Sequence, residues 1–142
     1  MEFRIDRPSF CLGMIEAFSE VVMQEVKDLA FGPPMEEELW LLIKEEAEGV
    51  FDKFGLGYYE ERHLINTDLA PREAIVGKLV PIIYLKEDVF DQYLALKHQV
   101  EKLEEAGDYD SLEQLEASIA LRRLLSYSEE AIKALKPASY AF

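Results

Sequence analysis

Glu60 and His63 stand three residues apart, a Glu-x-x-His spacing. On a helix this spacing puts a carboxylate and an imidazole on one face, as in carboxylate-bridged di-metal bundles. Asp68 lies close enough in the chain to add a third ligand, through a carboxylate oxygen. A di-metal site needs a second copy of the motif, however, and His98 has Ala95 at the matching position. The residues around Glu60 also lack a helical pattern. Glu60, His63 and Asp68 therefore stand as candidates for a metal or acid–base site, outweighed by the plain reading of a surface glutamate and an ordinary histidine. No metal, no cofactor and no catalytic residue is expected.

Other reactive types add little. Gly55-Leu56-Gly57 lacks the third glycine and the preceding strand of a dinucleotide-binding loop. There is no nucleophile elbow, no metal-thiolate spacing and no His-Glu-x-x-His run. The single cysteine, Cys11, sits between Phe10 and Leu12 with no cation nearby to lower its pKa, so it reads as a core thiol. His98 falls outside the apolar pattern of its helix and reads as a solvated or edge histidine. Arg122-Arg123 is the one adjacent basic pair; it reads as a partner for the fold's own acid before it reads as an anion clamp.

Charge narrows the partner class. The chain of 142 residues carries 15 basic and 29 acidic side chains, net −14. Such a surface repels phosphate backbones and anionic lipid, so neither nucleic acid nor membrane is an expected partner. The acid is concentrated in two stretches. Residues 35–54 and 87–109 each hold two basic against seven acidic side chains, whereas residues 55–86 hold four of each. This neutral stretch contains Tyr58, Tyr59, His63, Asn66, Asp68 and Arg72, a mixture of aromatic, amide and ionisable groups in loop-like sequence. Loops on a rigid scaffold are where function concentrates, so these six residues are the candidate interaction site.

The elements that would position this stretch are mostly helical. Val89, Tyr93, Leu96, Val100 and Leu103 recur at four, three, four and three, the repeat of an apolar seam on a helix over 87–105. Gly107 ends it, and Asp110 with Glu113 forms a capping-box pattern for a second helix over 111–125. That helix returns Leu112, Leu115, Ile119, Leu121, Leu124 and Leu125 to the seam. Ser128 caps a short last helix, with Lys133 and Lys136 near its end and Pro137 beyond.

Toward the N-terminus, a helix over 10–29 with Ser9 as N-cap is apolar around most of its circumference, which predicts a central position. A helix over 35–54 carries Leu39, Leu42, Ile43, Ala47, Val50, Phe51 and Phe54 on one face, with Trp40 half-buried at its edge. Between the helical regions, 79–85 reads as a strand that Pro81 would confine to an edge, paired with 58–68. The rival reading is a helix over 69–80, N-capped by Asp68 with Pro71 in its first turn.

Together these features predict a mainly α, single-domain helical bundle spanning 1–142. It has about five helices, a C-terminal helical hairpin and a small two-stranded β-hairpin within residues 58–86. The N-terminus shows no secretory leader pattern and no apolar run reaches membrane-spanning length, so a cytoplasmic location is expected. The expected function is a small acidic interaction domain, adaptor or regulatory, leaning away from catalysis. Its partner is another protein or a second copy of itself, met through the 89–103 seam or a strand edge near 82–85. The alternatives are a small metal-binding protein or enzyme using Glu60, His63 and Asp68, or a helical ligand sensor.

Overall fold

Three short strands divide the helices into two layers. The computed structural model describes residues 2–69 and 72–134. In chain order the elements are α1 (Arg7–Met23), β1 (Leu29–Phe31), α2 (Glu37–Phe54), β2 (Gly57–Glu61), α3 (Arg72–Ile75), β3 (Val80–Tyr84), α4 (Glu87–Ala106), α5 (Ser111–Leu124) and α6 (Glu129–Lys133). The described chain is mainly α, with one antiparallel sheet in the order β1-β3-β2.

The sheet's alternation builds both cores. Ala30, Tyr58 and Ile83 face α1 and α2, where they meet Cys11, Ile15, Trp40, Ile43 and Phe51. Leu29, Tyr59, Ile82 and Tyr84 face the other way, against Val89, Tyr93 and Val100 of α4 and Leu121 of α5. A period-two pattern buried on both faces requires a cover on each side, and the two helix pairs supply it. The helices thus sandwich a sheet rather than sharing a single bundle core.

The hairpin expected within 58–86 is present, as β2 and β3 paired from Gly57↔Tyr84 to Glu61↔Val80. Among the described residues the rival helix is present as the four-residue α3, while Pro71, expected in its first turn, lies outside the described residues. The third strand, β1, is a correction: its residues read from sequence as the end of the helix over 10–29 and the residues just beyond it. Pro81 is a second correction, because β3 is the central strand and not an edge. In an antiparallel ladder a residue's N–H and C=O point to the same neighbour. The Pro81 carbonyl accepts from the Gly32 N–H at 2.7 Å, so its missing N–H faces the point where β1 has already ended. Gly32 has to be glycine there, since a Cβ would sit 2.7 Å from Pro81 Cγ.

Helix α1 is not central. Only Cys11, Ile15, Ser19 and Val22 are buried, and Phe10 is 54% exposed. Apolar composition around a helix says how much could be buried, but here only one face has a neighbour. Its N-cap is Asp6 rather than Ser9: the Asp6 carboxylate accepts from the Ser9 N–H at 3.2 Å. On α2 the buried face is Trp40, Ile43, Ala47 and Phe51; Leu42 is 67% exposed, and Trp40 is fully enclosed instead of lying at the edge.

The C-terminal expectations fare better. Val89, Tyr93 and Val100 are buried, with Leu96 and Leu103 half-buried beside them. Asp110 accepts from the Glu113 N–H at 3.0 Å, and Ser128 from the Ala131 N–H at 3.1 Å. On α5 the buried residues are Ala117, Ser118, Leu121 and Arg122, while Leu112 is exposed. Lys136, Pro137 and the tail to Phe142 lie outside the described residues.

Candidate functional site

The site grows from two adjacent glutamates. Because side chains alternate along β2, Glu60 points to the α2 layer and Glu61 to the α4 layer. Glu60 accepts from the Trp40 indole N–H at 2.6 Å and lies 3.5 Å from Lys44 Nζ and 3.6 Å from the Arg62 guanidinium. Glu61 is 1% exposed and accepts from the Tyr93 hydroxyl at 2.5 Å, from the His63 backbone N–H at 2.9 Å and from Lys97. Three donors around one carboxylate are what keeps a buried charge tolerable. Burial first, then the charge of Glu61, pushes the Tyr93 hydroxyl well above its ordinary pKa, so it remains a donor.

The two tyrosines part in the same way. Tyr58 stacks on Phe51 at 4.8 Å and meets Trp40 edge-on at 5.9 Å. Burial, helped by the charges of Glu48 and Glu60, pushes its hydroxyl up to about 12. Tyr59 packs near Phe90 and beneath Lys97, whose ammonium lies 5.8 Å from the ring centre.

Past β2, residues 62–69 and 72–77 lie alongside α4, and the first of these stretches is held by side chains of its neighbours. The Tyr109 hydroxyl donates to the Asn66 carbonyl at 2.6 Å. Arg122 grips Asp68 with two nitrogens, at 2.8 and 2.9 Å, and Ser118 adds a third hydrogen bond. Burial opposes ionisation of Asp68, but the bonds from Arg122 and Ser118 outweigh it and hold the carboxyl below its usual range. Arg122 therefore fills the structural role expected of it, and Arg123 does likewise by pairing with Glu129 at 3.1 Å. Cys11 is buried, and burial pushes its thiol up.

Between this anchored segment and α4 lies a cleft of about 440 Å³. His63, Asn66 and Arg72 line one wall with Ile65, Ile75 and Val76; Lys97, Val100, Glu101 and Glu104 of α4 line the other. Half of the six expected interaction residues thus meet in one place. Tyr58 is on the far face of the sheet, Tyr59 lies beneath Lys97, and Asp68 is turned to α5. The metal candidates are not brought together: Glu60 faces α2, Asp68 faces α5, and His63 opens to the cleft. Among the described residues no group of three or more His, Cys, Asp or Glu side chains is placed to hold a metal ion, and no helix is long and apolar enough to cross a membrane.

Sequence reasoning missed the α4 wall. Lys97, Glu101 and Glu104 repeat at four and three, one position beyond Leu96, Val100 and Leu103 of the seam. That polar stripe was readable; that it would border a cleft depends on where residues 62–69 and 72–77 lie.

No family model, no curated protein and no solved structure matches this chain. Function has to be argued from the site alone.

Proposed function

We propose that this chain is a non-catalytic protein-interaction domain, adaptor or regulatory in role, that receives part of a partner protein in the cleft lined by residues 62–66 and 72–77 on one side and α4 on the other. The observation that carries this is the cleft's charge: in a chain of net −14 its lining holds three basic side chains, Arg62, Arg72 and Lys97, against two acidic ones, Glu101 and Glu104. The rest of the acidic surface repels most of what approaches; at the cleft the long-range cost is lower. Its size falls in the range of ordinary ligand sites, and Val76 at its edge is 60% exposed, an apolar contact ready for burial. The anchors at Asn66 and Asp68 hold the wall in place, which lowers the ordering cost of binding.

A different protein suits this site better than a second copy. The 89–103 seam is occupied by the sheet and α5, and the 82–85 stretch belongs to a strand paired on both sides. Both surfaces considered for self-association are therefore used inside the fold. A cytoplasmic setting belongs to the same proposal.

The test is affinity capture from native extract with wild type and with Val76→Glu. Val76 is exposed, so the substitution is expected to leave the fold intact, which circular dichroism checks. A partner retained by wild type and lost by the variant supports the proposal. Capture indifferent to Val76→Glu overturns it.

A further inference from the structure

The charges left without partners in the cleft stand on opposite walls. Among the described residues Arg72 makes no ion pair, although acidic side chains outnumber basic ones 29 to 15. Glu101 and Glu104, across from it on α4, make none either. The remaining lining cations are engaged: Lys97 with Glu61, and Arg62 with Glu37 at 2.7 Å. The half-buried Ile75 and the exposed Val76 supply apolar surface beside Arg72.

We infer that the cleft recognises a peptide segment of bipolar charge. A carboxylate of the segment meets Arg72, an apolar residue covers Ile75 and Val76, and an ammonium or guanidinium meets Glu101 and Glu104. This rests on the cleft being the partner's docking place, and it names the chemistry of what docks. A phosphate or a polyanion would confront Glu101 and Glu104 as well as the overall negative field. A polycation would put like charge against Arg72. A segment with both signs in one order satisfies both walls. The ion pairs are open to solvent, so each contributes about a threefold change in affinity. The apolar residue carries most of the binding, while the charges set orientation and exclude wrong partners.

The experiment is a chemical-shift titration of the full chain with two blocked tetrapeptides, acetyl-Glu-Leu-Leu-Lys-amide and its reverse, acetyl-Lys-Leu-Leu-Glu-amide. One order is expected to shift amides in 62–66 and 97–104. Replacing its glutamate by glutamine should weaken binding to wild type about threefold and leave binding to Arg72→Gln unchanged. Replacing its lysine by norleucine should behave in the same way toward wild type and the Glu101→Gln, Glu104→Gln double variant. Equal binding of an all-acidic peptide, shifts outside the cleft, or no coupling in either cycle overturns the inference. Partner capture that is lost with Val76→Glu while both cycles show no coupling sinks the bipolar chemistry and leaves the docking site standing.

Discussion

Glu60 and Glu61 are neighbours in β2, yet their carboxylates are held on opposite sides of the sheet, one by Trp40 of α2 and the other by Tyr93 and Lys97 of α4. Each tethers one helix layer to the edge strand β2. The layers differ in how deeply the charge lies: the Glu60 side chain keeps a quarter of its surface, while Glu61 keeps almost none. Truncating them should therefore cost unequal amounts. Glu61→Ala strands the Tyr93 hydroxyl in the interior, leaves the Lys97 ammonium at the cleft wall without its partner, and is expected to destabilise by about 3 kcal/mol. Glu60→Ala, with solvent at hand, is expected to cost about 1 kcal/mol. Urea unfolding of both variants measures the difference, and equal losses would contradict the asymmetry.

Asp68 joins the cleft wall to α5 through Arg122, and its contribution should depend on pH. Its folded pKa is depressed, so the stabilisation is present above the unfolded carboxyl value and is lost as pH falls through the folded one. Asp68→Asn should thus cost about 2 kcal/mol at pH 7. The gap to wild type should narrow as pH drops below about 4. Denaturant titrations between pH 7 and pH 3 give the curve; a gap of constant size across that range would remove the ion pair from the explanation.

Close contact at Gly32 should show as crowding. Gly32→Ala pushes a methyl group into the Pro81 ring and is expected to cost about 1–3 kcal/mol. In a Pro81→Ala background the same change should cost clearly less, because the ring atoms it meets are gone. Thermal unfolding of the four proteins completes the cycle, and additive losses would count against the contact.

The buried face of α2 is tested by two substitutions. Trp40→Ala should cost about 3–5 kcal/mol, from the packing lost around a fully buried side chain. Leu42→Ser should stay within about 0.5 kcal/mol. A large loss at Leu42 would restore the face expected from sequence.

What the chain discloses in advance follows the range of the interactions involved. The α4–α5 hairpin and the caps at Asp110 and Ser128 were readable because seam, stop and cap are all local. The β2–β3 hairpin was readable from its β-branched and aromatic run. Strand β1 was not: Leu29-Ala30-Phe31 serves equally well as a helix end, and only pairing with β3 makes it a strand. Once β1 exists, Pro81 becomes central, α1 loses its claim to the middle, and Trp40 gains the sheet as a cover. At the site, composition marked His63, Asn66 and Arg72, since polar loop residues between helices are visible without a fold. Tyr58 and Asp68 have the same composition signal, but strand alternation and Arg122 carry them elsewhere. The α4 stripe needed the placement of residues 62–69 and 72–77, which no local pattern specifies.

Docking in the cleft is tested most directly by placing a photoreactive residue at Val76 and, separately, at the equally exposed Leu42 on the other helix layer. Irradiation in native extract should yield one discrete protein adduct through position 76 and none through position 42. An adduct through position 42 alone, or none at either, would contradict the cleft as the partner's site.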